Sequence, residues 1–81
     1  QRAFYLENNT AQTIPLQIPG VMNPNLNPFS RSGVDLKNGQ KIFLSLRNKK
    51  VLILTVTDTI AHGTRIDVAS LINKALNEIE N

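Results

Sequence analysis

Few side chains in this 81-residue chain have the types and spacing that chemistry requires. His62 is the only histidine, and the chain has no cysteine. A zinc site needs several nitrogen or sulfur ligands at set spacings, and a thiol nucleophile needs a cysteine. We therefore expect no metal site at His62, whose Ala-His-Gly-Thr context is typical of an exposed turn before a helix.

The six acidic residues offer no evident pair for acid–base catalysis. Asp35 and Asp58 could approach each other across a sheet, but their spacing does not require it. The chain has neither a glycine-rich phosphate loop nor a nucleophile elbow, and a core this small leaves little room for a deep pocket. We expect a protein that is not an enzyme and that uses no cofactor.

The basic residues suggest a second kind of chemistry, the binding of polyanions. Arg47, Lys49 and Lys50 fall in one predicted turn, and Lys37 and Lys41 flank another. If the two turns stack, Lys41, Arg47, Lys49 and Lys50 would bind a nucleic acid or an acidic glycan. The net charge of +3 is mild and aromatic residues are few, so nucleic acid is not expected. In the alternative interpretation, these basic residues bind nothing and only keep the turns soluble.

An apolar segment rich in proline occupies residues 20–32. Two Asn-Pro pairs, four residues apart, favour turns and hence an ordered loop. In one interpretation Val21, Met22, Leu26 and Phe29 pin this loop as a lid over the core. In the other, Met22, Leu26 and Phe29 form an exposed patch that binds a partner.

Period-two alternation of apolar residues predicts the strands that must position these groups. They cover residues 3–8, 13–19, 33–36, 40–46 and 51–57. Asn38-Gly39 is typical of a tight hairpin turn between the third and fourth strands. The basic turn predicts a second hairpin over 41–57.

Two of these strands carry further signals. Pro15 and Pro19 remove amide donors along one side of the strand over 13–19, which predicts an edge strand with Ile14, Leu16 and Ile18 facing the core. The nearly continuous apolar run over 51–57 predicts the most buried strand. At the end of the first strand, Asn8-Asn9-Thr10 matches an N-glycosylation acceptor and equally a polar turn.

A helical period follows over residues 67–79. Asp67 is the expected N-cap, and one face carries an apolar stripe. The stripe consists of Val68, Leu71, Ile72, Ala75, Leu76 and Ile79. A helix with one apolar face must pack against the sheet. The predicted fold is therefore α+β, a single domain over 1–81 in which a small antiparallel sheet or half-open β-sandwich of five strands is closed by one C-terminal amphipathic helix.

Several short segments carry a resemblance to other proteins. They are Asn9-Thr10, Ile14-Pro15-Leu16, Ile18-Pro19-Gly20-Val21-Met22, Pro24-Asn25-Leu26, Ser32-Gly33-Val34 and Gly39-Gln40-Lys41. Together they make the chain similar to a family of small, uncharacterised bacterial proteins that are usually made with a signal peptide. The resemblance implies a periplasmic or secreted protein whose mature chain starts at Gln1, and it implies no particular activity.

Three hypotheses about function follow. The first is a non-enzymatic, secreted or periplasmic module that binds a protein or a cell-envelope surface, because catalytic groups are sparse and the loop over 20–32 is elaborate. The second is a polyanion-binding module that uses the basic turns. The third is a structural domain of a larger assembly. The sequence leaves the partner and the oligomeric state open.

Overall fold

Alternating apolar residues form two β-sheets that face each other in a computed structural model, which describes residues 1–80. One sheet has the strand order β4-β1-β7 and the other β3-β2-β5-β6. The elements are β1 (Arg2–Asn8), β2 (Ile14–Gln17), β3 (Asn25–Leu26), β4 (Ser30–Leu36), β5 (Lys41–Ser45), β6 (Lys50–Thr55), β7 (Arg65–Asp67) and α1 (Val68–Glu80). The predicted α+β class is confirmed.

The core lies between the two sheets and beneath the helix. Its members are the inward residues of each alternating strand, as predicted from the period of two. Among the most deeply buried are Phe4, Leu6, Leu16, Ile18, Leu36, Ile42, Val56 and Val68. Helix α1 packs against β6 and β1 and so closes one side of the sandwich.

The start of the helix is the predicted one, whereas its stripe extends beyond the sheet. Asp67 caps α1, because its Oδ1 accepts a bond from the Ala69 amide at 3.1 Å and its Oδ2 accepts one from the Ser70 hydroxyl at 3.1 Å. The last apolar residue of the stripe, Ile79, is 62% exposed. The predicted burial of Ile79 is therefore wrong.

Strand β2 lies inside its sheet, between β3 and β5, so the prediction of an edge strand is wrong. The Leu16 amide donates to the Pro24 carbonyl on the β3 side, at 2.8 Å. Because amide direction alternates along a strand, Pro15 and Pro19 both face β5. The prolines do remove donors on one side, as predicted, and they bracket the short β2–β5 ladder instead of guarding an outer edge.

Strands β4 and β5 belong to different sheets, so the predicted hairpin over Asn38-Gly39 does not form. The tight turn itself is present: the Gln40 amide donates to the Lys37 carbonyl at 3.2 Å. Gly39 has a positive φ of 88° whereas Asn38 does not, and a type I′ hairpin needs both. The turn therefore carries the chain from one sheet to the other.

The second predicted hairpin, β5–β6, is confirmed. Strand β6 is not the most buried strand, however, because it is the last strand of its sheet. Leu52 on its outer face is 43% exposed. A β-bulge at Ile53 shifts the register, since Ile42 pairs with Leu54 and the next residue, Phe43, pairs with Leu52.

The segment over residues 20–32 is more regular than a loop. It contains β3 and the beginning of β4. Leu26 and Pro24 are its buried residues, whereas Val21, Met22 and Phe29 are exposed. Of the residues predicted to pin a lid, only Leu26 therefore does so.

Asn8 is a buried polar residue where the two sheets meet. The two hydrogens of its amide nitrogen are shared among three carbonyls, those of Gln12 at 2.7 Å, Leu26 at 3.0 Å and Asn27 at 3.1 Å. Its Oδ1 accepts bonds from the amide and the hydroxyl of Thr10, at 3.0 and 2.7 Å. The predicted polar turn is thus confirmed, and the fully buried Asn8 is not an acceptor for glycosylation in the folded chain.

Candidate functional site

The three residues of the predicted partner patch do not form one surface. Leu26 is 3% exposed and belongs to the core, whereas Met22 is 39% and Phe29 is 74% exposed. Met22 pairs with Ile18 and Leu26 pairs with Ile14, so Met22 and Leu26 lie about 13 Å apart along the hairpin at about 3.3 Å per residue. Phe29 lies beyond Leu26, so Met22 and Phe29 occupy opposite ends of the β2–β3 hairpin.

The predicted polyanion contacts are likewise divided. Lys41 pairs with Thr55 at the start of β5, and Lys50 pairs with Ser45 at its end. Arg47 and Lys49 belong to the turn that follows Ser45, so they lie with Lys50 and away from Lys41. The single cationic end that the sequence predicted is therefore two separate basic turns.

The described part of the chain contains no cluster of metal ligands and no membrane-spanning helix. Among the side chains that the structure describes, those of residues 1–79, no three from His, Cys, Asp or Glu are grouped as a metal site requires. In the same residues, no helix combines the length and the apolar character that crossing a membrane requires.

The outer face of the three-stranded sheet gathers more chemically useful groups than these predicted sites do. We call it the Tyr5 face, formed by Ala3, Tyr5, Glu7, Arg31, Gly33, Asp35 and Arg65. The Tyr5 ring lies beside Gly33, where a Cβ would sit 3.5 Å from the ring Cε1. The Arg31 guanidinium lies 5.1 Å from the Tyr5 ring centroid, within cation–π range.

A shallow concavity of about 370 Å³ opens on the Tyr5 face, next to His62. The Nδ1 of His62 accepts a bond from the Ala3 amide at 3.2 Å, so a neutral ring carries its proton on Nε2. His62 is exposed in a turn, as predicted. Among residues 1–80, Asp35 on the rim has no salt-bridge partner, whereas Glu7 pairs with Arg65 at 3.8 Å.

The backbone of β4 is the most distinctive part of this face. On β1, the Tyr5 amide donates to the Thr64 carbonyl and the Ala3 carbonyl accepts from Gly63, both at 2.8 Å. Ala3 and Tyr5 therefore direct their backbone groups toward β7. Because direction alternates along a strand, Phe4 and Leu6 direct theirs toward β4.

The same alternation fixes which groups of β4 face outward. Val34 is the partner of Phe4 and Ser32 that of Leu6, so these are the hydrogen-bonded pairs of the antiparallel ladder. The N–H and C=O groups of Arg31, Gly33 and Asp35 consequently point away from β1. Strand β4 ends its sheet, and within residues 1–80 these groups have no hydrogen-bond partner.

In comparisons with family models, with curated proteins and with solved structures, nothing matched this chain.

Sequence reasoning missed the β4 edge because the strand was predicted to begin at residue 33. The signal was present in Arg31-Ser32-Gly33-Val34-Asp35, which alternates between charged or small outward residues and inward residues. No local pattern reports that a strand lacks a neighbour, since that depends on the order of strands in the sheet.

The other edge strands of the two sheets, β3, β6 and β7, are less suited to pairing with another chain. Strands β3 and β7 are two and three residues long. Strand β6 carries a bulge and begins with a lysine, and both features discourage pairing with another chain. Strand β4 has seven residues and contains no proline or lysine, and it pairs with β1 in one unbroken register. It is therefore the open edge that an extended segment fits best.

Proposed function

We propose that this chain is a protein-interaction module that binds an extended segment of a partner at the free edge of β4. The observation that carries the proposal is the row of outward backbone groups on Arg31, Gly33 and Asp35, which have no hydrogen-bond partner within residues 1–80. Strand addition to an exposed edge is a recurring mode of peptide recognition, in which backbone bonds give affinity and side chains give specificity.

The Tyr5 face supplies the specificity. The outward side chains of an added strand would lie beside Arg31 at one end and Asp35 at the other, with Gly33 between them. Opposite charges across neighbouring strands stabilise pairing and like charges oppose it. The preferred segment therefore carries an acidic residue opposite Arg31 and a basic residue opposite Asp35.

We also propose that the module works in the periplasm or outside the cell. The support is the resemblance carried by the segments between Asn9 and Lys41. Direct detection of the native protein in periplasmic and secreted fractions, against a cytoplasmic marker, tests this location. Recovery with the cytoplasmic marker alone would contradict it.

The binding proposal is tested with two synthetic peptides and the ¹⁵N-labelled chain. One peptide has the sequence of residues 29–37, FSRSGVDLK, and the other exchanges its charges, FSDSGVRLK. In an antiparallel pairing the first peptide places its Asp opposite Arg31 and its Arg opposite Asp35. We expect the first to shift the amide resonances of Arg31, Gly33 and Asp35, and the second to bind more weakly.

Gly33 provides a matched pair of variants. Gly33→Pro removes the outward amide, while the ladder to β1 through Ser32 and Val34 keeps its bonds. Gly33→Ala keeps the amide, and its Cβ would meet Tyr5 at an ordinary contact distance of 3.5 Å. We expect Gly33→Ala to bind the peptide and Gly33→Pro to lose binding, with circular dichroism verifying both folds.

The proposal has a clear contrary result. If neither peptide shifts the outward amides of β4, and if these amides exchange with deuterium as fast as those of an unstructured chain, the edge binds no strand. Equal peptide binding by Gly33→Pro and Gly33→Ala would place the site elsewhere on the chain.

A further inference from the structure

We infer that the strand that fits the β4 edge is β4 of a second copy of this chain. The two copies would pair antiparallel about a two-fold axis through Gly33, which joins two three-stranded sheets into one of six strands. This inference rests on the proposed strand-binding function, and it names the partner.

The charges along β4 are self-complementary about Gly33. Arg31 precedes Gly33 by two residues and Asp35 follows it by two. A two-fold axis at Gly33 reverses the strand, so Arg31 of each copy lies opposite Asp35 of the other. Both residues are exposed, and Asp35 has no salt-bridge partner among residues 1–80. A closed dimer needs such a self-complementary surface.

The backbone directions agree with this register. The outward groups belong to Arg31, Gly33 and Asp35, which are the residues that face each other in the pairing. Each opposed pair would exchange two N–H···O=C bonds, as hydrogen-bonded pairs of antiparallel strands do. A register shifted by one residue would place Ser32 or Val34 opposite an outward residue, and their backbone groups already face β1.

Gly33 also leaves space where the axis passes. The two glycines would lie side by side, with the Tyr5 ring of each copy flanking its own glycine. This arrangement makes a row of Tyr5, Gly33, Gly33 and Tyr5 across the joined sheet. Bulky side chains do not meet at the axis, and the two Arg31–Asp35 pairs fall on either side of it.

Charge exchange tests the register directly. The variant Arg31→Asp opposes two Asp residues at each end of the pairing, and Asp35→Arg opposes two Arg residues. We expect each single variant to self-associate at least about tenfold more weakly than the wild type, because attraction becomes repulsion at two cross-strand positions. The double variant Arg31→Asp/Asp35→Arg restores opposite charges and should regain association.

Mixing gives the most specific readout. The Arg31→Asp chain has an acidic residue at both positions of its edge, and the Asp35→Arg chain has a basic residue at both, so the two chains attract each other when they are combined. Native mass spectrometry should then show the mixed dimer in excess over either homodimer. The control is Lys74→Asp, which makes the same change of charge at an exposed position of α1, a helix that packs against β6 and β1, and it should leave the dimer fraction unchanged.

Sedimentation of the wild-type chain over a range of concentrations separates the possible outcomes. If the chain stays monomeric while the FSRSGVDLK peptide shifts the outward amides of β4, the dimer is refuted and the strand-binding function stands. If neither self-association nor peptide binding occurs, both are refuted. Self-association without the mixed dimer would overturn the register and hence the inference.

Discussion

Asn8 offers the sharpest test of how the fold is held together. The substitution Asn8→Ala removes five side-chain contacts of hydrogen-bond length at a buried position. They amount to four full hydrogen bonds, because two amide hydrogens serve three carbonyls. The Thr10 amide then loses the only acceptor it has within residues 1–80. Two of the carbonyls keep another donor, because Asn27 still accepts from Ser30 at 2.6 Å and Gln12 still accepts from the Thr10 hydroxyl at 3.1 Å.

The expected cost follows from this inventory. At about 1 kcal/mol for each net hydrogen bond, two donated and two accepted bonds set an upper value of about 4 kcal/mol. The surviving donors reduce it, so we expect unfolding to become easier by about 3 kcal/mol, or about 12–24 °C in Tm for a domain of this size. Because native domains are stable by only about 5–15 kcal/mol, this is a large fraction of the total.

The neighbouring asparagine supplies the control. Asn9 is exposed and makes no side-chain hydrogen bond within residues 1–80, so Asn9→Ala should change the free energy of unfolding by less than about 0.5 kcal/mol. Urea and thermal unfolding of both variants and the wild type, followed by circular dichroism, measure the difference. If Asn8→Ala costs no more than Asn9→Ala, the buried amide does not hold the corner between the sheets.

Two further predictions concern the loop and the helix. Leu26→Ala should destabilise the fold by about 2–5 kcal/mol, as expected for a buried leucine, whereas Met22→Ala should cost less than about 1 kcal/mol because Met22 is partly exposed. Equal costs in urea unfolding would contradict the assignment of Leu26 to the core. Asp67→Ala should cost about 1 kcal/mol through loss of the N-cap, while Asp67→Asn should cost only a few tenths of that because it also caps. A loss of equal size in Asp67→Asn, measured in the same way, would mean that Asp67 acts by charge and not as a cap.

Local patterns in the sequence predicted the elements whose apolar residues recur at a regular spacing. The alternation around Ile42 and Leu44 identified the β5–β6 hairpin, and Asp67 marked the start of the helix. These features involve residues close together in the chain, so spacing alone carries the information.

The features that were missed depend on distant partners. Strands β3 and β7 have only two and three residues, and they are strands because β2 and β1 lie beside them. Asn38-Gly39 fits both a hairpin turn and a connection between sheets, and the φ of Asn38 decides between them. The β4 edge was missed for the same reason, since a strand is an edge only once its sheet is assembled.

The position of β1 in its sheet affects how the chain folds. It is an early segment of the chain, yet it lies between β4 and β7, and it pairs in parallel with β7 some sixty residues later. Such non-local pairing slows folding, because closing the long intervening loop costs conformational entropy before β1 and β7 make any stabilising contact. Until β7 pairs with β1, the backbone groups of Tyr5 that face β7 have no neighbouring strand. During that time β1 is itself an edge strand whose free backbone groups are open to other molecules.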